Sequence, residues 1–386
     1  MSVNHPDHNA EIHDPEPLKT REEVVAHIRM INSIAAQDYT SYKELEKKGA
    51  FKKKPRRIIL FCSDGRVDVS MFFSNPLERF RHPQLPMAGN RWIVSDDFKG
   101  YNNKVLLDKF YEEHETDLEG LFEYMFGKYL AEDPNYIIEI QSHSEAPESY
   151  HHGCGAHGSN TANAVAETAK LAYLISKWNP NVKIVRTHNY TSQVKIVPAY
   201  IFDQGAMDAQ GSRIGIGELA KVAVGFDPNP SILSTDDKIK KPIIVKGKKN
   251  HFGIDTENHA EQTILISDTP LAHHGGGRQA LRMSWNTDSR FMFDFIKILM
   301  GIIKSNYLKR NPGAPIILHF DIPDGEAIMH EDGGKTGMNR KIFAERSKIL
   351  NLMHTDPQIQ IMLEQGELLV VTTLTDPKTY KTQIYQ

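Results

Sequence analysis

Apolar residues recur at helical spacing over residues 21–48, where Val24, Ile28, Ile31 and Ile34 share one face, and the run closes at a Lys/Gly cluster. The pattern then changes character. RRIILF (56–61) reads as a strand, followed by a polar loop and MAGNRWIVS (87–95). A helix over LEGLFEYMFGKYL, at about 117–130, leads into strand YIIEIQSH (136–143). A loop holding HHGCGAHG precedes helix TANAVAETAKLAYLISKW (161–178), and strand NVKIVRTH (181–188) follows. Strands alternating with helices predict a parallel α/β sheet. FMFDFIKILMGII (291–303) is too short to span a bilayer and carries Asp294 and Lys297, so it reads as a buried amphipathic helix.

The second half repeats this order. QTILISD (262–268) parallels IILFCSD, and PIILHFDI (315–322) parallels YIIEIQSH. GGKTGMNRKIFAERSKILNLM (333–353) parallels CGAHGSNTANAVAETAKLAYL, and ELLVVTTLT (367–375) parallels VKIVRTHNYT. In this alignment Ile266 stands opposite Cys62, Ile322 opposite His143, Gly333 opposite Cys154 and Pro270 opposite Arg66. The expected organisation is an N-terminal arm and helix (1–50), a first domain (51–200), a connecting segment rich in Gly, Pro and Lys (201–250), and a second copy (251–386).

Composition narrows the function classes. The 386 residues are 40% hydrophobic and 25% charged, ordinary for a soluble globular protein. A net charge of −3 offers no electrostatic case for nucleic acid or an anionic membrane surface. The N-terminal stretch has no basic and apolar signal-peptide pattern. Two cysteines cannot make a disulfide framework, which points to a reducing compartment or to thiols kept for chemistry.

Those cysteines lie just beyond the ends of predicted parallel strands, where open α/β sheets place their ligands. Cys62 follows RRIILF, Cys154 follows YIIEIQSH, and His143 ends that second strand. Two thiolates and one imidazole make a three-ligand zinc set with a fourth position for water, and the chain has no CxxC knuckle of a closed structural site. His151 keeps an H-x-x-C spacing and is the rival histidine ligand; His143 is preferred because a strand end is held by its ladder. In an extended segment Cys62, Asp64 and Arg66 point the same way, so a bidentate Arg66 would keep Asp64 ionised and aimed at a metal-activated water.

CSDGR at 62–66 resembles the C-x-D-x-R signature of β-type carbonic anhydrases. MAGNR (87–91), LEGLFEYMFGKYL and HHGCG resemble three further segments of that family in the same order, with Met87 a departure in the first of them. The spacing between His143 and Cys154 and the degenerate second copy resemble the carboxysomal shell branch. Most of that branch's extra N-terminal domain is missing here, which weighs against packaging into a carboxysome and leaves the cytoplasm as the expected location.

The resemblance implies a β-carbonic-anhydrase-like α/β fold duplicated in tandem as a pseudo-dimer, with Zn2+ on Cys62, His143 and Cys154. It implies reversible hydration of CO2 to bicarbonate, with Asp64 orienting the nucleophile, Arg66 fixing Asp64, and Ala88–Asn90 shaping the cleft wall. Hydrolysis of a CO2-like molecule (COS or CS2) and a metal-binding scaffold without turnover are the alternatives. Expected partners are CO2 and bicarbonate, neither nucleic acid nor membrane, and further copies of the pseudo-dimeric chain. His151 and His152 read as exposed loop residues, and His157 and His188 as structural. HHGGGR (273–278) is a weaker candidate to approach the site, and DGGKTG (332–337) lacks the first glycine of a phosphate-binding loop.

Overall fold

The computed structural model describes residues 16–52, 55–64, 67, 73, 75–87, 90–93, 104–144, 154–157, 161–191, 195–198, 261–268, 280–285, 288–323, 333–376 and 378–385. Helix α1 (Arg21–Lys47) begins at a capping box: the Thr20 hydroxyl accepts Glu23 N–H, and the Glu23 carboxylate accepts Thr20 N–H. The first sheet holds β1 (Arg57–Phe61), β2 (Gln84–Pro86), β3 (Ile137–Ser144), β4 (Lys183–Tyr190) and β5 (Lys195–Pro198), in the order β2-β1-β3-β4-β5. Its first four strands are parallel and β5 is antiparallel. Between β2 and β3 run α2 (Lys104–Glu113), α3 (Glu115–Phe122), a π turn at Glu123–Gly127 and α4 (Lys128–Glu132). Between β3 and β4 runs α5 (Thr161–Trp178).

The second sheet repeats this plan. Its strands are β6 (Thr263–Ile266), β7 (Ala280–Met283), β8 (Ile316–Pro323), β9 (Leu368–Thr375) and β10 (Thr382–Tyr385), ordered β10-β9-β8-β6-β7. Again four strands are parallel and the last is antiparallel. Helices α6 (Ser289–Ser305) and α7 (Tyr307–Arg310) precede β8, and α8 (Gly333–Thr355) and α9 (Pro357–Glu364) precede β9. The α/β expectation is met, as two mostly parallel sheets flanked by helices.

Register corrects the sequence alignment between the halves by one residue. Leu60 pairs with Ile140 and Leu85 in the first sheet; Ile264 pairs with Leu318 and Leu281 in the second; all six lie in the helix-packed core. Matching those triplets keeps Cys62 opposite Ile266 and Met87 opposite Met283, but puts His143 opposite Asp321. Ile322 belongs to the helix-packed core instead. A slip of one residue exchanges the two faces of a strand, so burial decides the matter.

The halves share one continuous apolar core. Edge strands β2 and β7 meet: Arg282 N–H donates to Ser63 C=O at 2.9 Å and Ser284 N–H to Pro86 C=O at 2.8 Å. The Arg282 guanidinium donates to Gln84 Oε1 at 3.0 Å and lies over the Phe61 ring. Helix α1 spans both halves. Val24 and Ile28 pack on Ile317 and Val371 of the second sheet, while Asp38 pairs with Arg79 of the first half at 2.6 Å.

Candidate metal centre

β1 and β3 are neighbours, so their carboxyl ends lie side by side. Below the site a buried ion pair joins them, Arg57 to Glu139 at 2.9 Å, and Thr187 of β4 donates to the same carboxylate at 3.1 Å. With Gln141 donating as well, Glu139 is satisfied from three strands. This polar cross-link sits on the face of β3 that carries His143 two pleats further on.

Cys62 leaves the end of β1, and just beyond it Val67 N–H donates back to Asp64 C=O at 2.9 Å. Cys154 precedes a short 3-10 turn, Gly155–His157, in which His157 N–H donates to Cys154 C=O. The segments bring Cys62, His143 and Cys154 together with one ligand atom from each within 4.8 Å of the others, all three side chains buried. No other group of three or more metal-ligating side chains is found among the described residues.

The electrostatics of the triad suit a cation. Cys62 and Cys154 have sulfurs 3.3 Å apart, close enough to share a proton. That hydrogen bond, helped by nearby His143, holds the Cys62 thiol well below its ordinary range. The same bond and burial push Cys154 up. His143 Nε2 is buried with no hydrogen-bond partner among the described residues, and Asp64 Oδ2 stands 3.8 Å from it. A buried imidazole nitrogen beside two thiols, one of them held low, is the donor set that Zn2+ takes.

The wall near the site is pinned by Asn90. Its backbone is left-handed (φ 57°), a conformation asparagine tolerates better than most residues, and its Nδ2 donates to Gln141 C=O at 2.5 Å. The segment after β2 is thereby tied to β3 two residues before His143.

Other expected residues fall elsewhere. His188 hydrogen-bonds Ser142 and Ser144, each at 2.8 Å. By alternation those side chains leave the strand on the face away from His143. Burial, reinforced by His143, lowers its pKa to about 3, so it stays neutral. His157 is half-buried in the turn after Cys154. Arg66, Ala88, His151, His152, Pro270 and the run 273–278 lie outside the described residues. Sequence reasoning passed over Asn189, the register partner of His143 on β4. Its signal was available: it follows His188, so alternation turns it to the opposite face.

No protein-family model matches the chain, and no curated protein matches it. A buried Cys-His-Cys triad within parallel α/β sheets is what fold and site define. No helix among the described residues is long and apolar enough to cross a membrane.

Proposed function

We propose that the protein is a zinc-dependent lyase that hydrates CO2 reversibly to bicarbonate. The observation that carries this reading is the buried Cys62–His143–Cys154 triad with the Asp64 carboxylate 3.8 Å from His143 Nε2. Zinc held there would lower the pKa of a bound water from about 15.7 toward roughly 7, less far with two thiolates than with three imidazoles.

The chain's own residues do the rest. Asp64 accepts a hydrogen bond from the attacking oxygen and turns its lone pair toward carbon. In this reading Arg66 would fix Asp64 and Ala88–Asn90 would wall the cleft. The second half, a degenerate duplicate, serves as a built-in partner subunit. Its support is the repeated strand order and the Arg282 hydrogen bond to Ser63, the residue after Cys62.

Stopped-flow CO2 hydration by the full chain, before and after chelation, tests this function. Activity should vanish with the metal, return on adding Zn2+, and rise with pH. A fully zinc-loaded chain that fails to hydrate CO2 would overturn the proposal.

A further inference from the structure

Asn189 is fully buried, and among the described residues neither its carboxamide oxygen nor its nitrogen has a hydrogen-bond partner. Buried polar groups left unmade are costly, so such a residue calls for a physical reason. Its position supplies one. Asn189 is the register partner of His143 on the adjacent parallel strand, so the two side chains leave the same face of the sheet, with backbones about 4.8 Å apart.

The second half shows what this pair looks like when closed. Asp321 and Thr373 are register partners at the equivalent place, and Thr373 Oγ1 donates to Asp321 Oδ1 at 2.8 Å. Thr375 and Ser267 complete the carboxylate's shell, Ser267 at 2.7 Å. One copy therefore satisfies its pair internally. Among the described residues the other leaves His143 Nε2 and both ends of the Asn189 amide without a hydrogen bond.

A histidine that gives Nε2 to a metal carries its proton on Nδ1, and that N–H needs an acceptor to fix ring and tautomer. We infer that Asn189 is the positioning residue for His143: its Oδ1 accepts the His143 Nδ1–H when Nε2 turns to the metal. The open amide is then an apo-state cost that metal binding relieves. The inference rests on the metal-site reading and is independent of which substrate the site turns over.

The test uses the full chain with Asn189→Leu, which keeps the branching and the number of heavy atoms but has no polar atoms, and Asn189→Asp, which keeps the acceptor. Zinc affinity is measured by competition with a chromogenic chelator, and the metal-free proteins are melted. Asn189→Leu should lose about 10–100-fold in zinc affinity. Its metal-free form should melt no lower than wild type, because two unpaired buried groups are gone. Asn189→Asp should bind zinc within a few-fold of wild type. If Asn189→Leu does not fold, Asn189→Ser, too short to reach His143, should show the same loss and an altered Co2+ ligand-field spectrum. Wild-type zinc affinity in the Leu or Ser variant would overturn the positioning role. So would equal losses in Asn189→Leu and Asn189→Asp. A wild-type chain that takes no zinc would instead overturn the metal site itself, and the inference with it.

Discussion

Asp321 occupies in the second sheet the place that His143 holds in the first. Both stand on the third strand of their order and face away from the helix-packed core. His143 meets two thiols, whereas Asp321 meets three hydroxyls, from Ser267, Thr373 and Thr375. The carboxylate is sealed from solvent and already satisfied, so it has little to offer a cation. With Ile266 opposite Cys62, a second thiolate site is missing as well.

Metal analysis of the full chain should accordingly find one zinc per chain. Replacing Cys62 or Cys154 with Ser, or His143 with Ala, should abolish it, while His151→Ala should keep it. Asp321→Ala should leave the stoichiometry at one and lower stability, since three hydroxyls lose their acceptor. Two zincs per chain, or loss of zinc in Asp321→Ala, would contradict the asymmetry between the halves.

Asp64→Asn tests the orienting role. The amide keeps the size of the carboxylate, and the three ligands are untouched, so zinc content should equal wild type. CO2 hydration should fall by about 100-fold or more, the usual scale for a positioned proton-handling group. Full activity at full zinc content would remove Asp64 from the mechanism.

The fragment ending near residue 250 keeps every ligand and loses the second half. It would uncover the ends of β1 and β2, where Ser63 C=O and Pro86 C=O accept N–H groups of Arg282 and Ser284, together with the core face shared by the two sheets. It also leaves Val24 and Ile28 of α1 without Ile317 and Val371. Size-exclusion chromatography should show aggregation, and zinc-dependent activity should be lost. A soluble, active monomeric fragment would show that the second half is dispensable.

Acid should destabilise the fold through its buried neutral histidines, His188 and two more. His82 accepts the Arg57 N–H at Nδ1 (3.0 Å), and His319 bonds Thr373 at 2.8 Å. Burial lowers the pKa of each to about 4. An unfolded histidine titrates near 6.5, so between about pH 6.5 and 4 the unfolded chain binds more protons than the folded one. Stability therefore falls as pH drops through that window, by up to about 1.4 kcal/mol per pH unit per group, and His82 and His319 add no further loss below it. Urea titrations of His82→Gln and His319→Gln should show a shallower slope over that range. An unchanged slope in both would assign the acid sensitivity to other groups.

Much of the architecture was legible in the chain itself. Runs such as RRIILF and PIILHFDI specify strands, and the helices between them require parallel crossovers. Parallel strands end at a common edge, so residues placed after two of them, Cys62 and Cys154, are brought together by topology alone. Three matters were decided only by tertiary structure. Strands buried on both faces read as unbroken apolar runs, so their sequence does not tell one face from the other; hydrogen-bonded register does, and it moved the counterpart of His143 from Ile322 to Asp321. The meeting of β2 with β7 depends on backbone groups that every sequence carries, and so left no mark in side-chain pattern. The open amide of Asn189 is a fact of partnership, and partners on other strands become known only when the sheet is assembled.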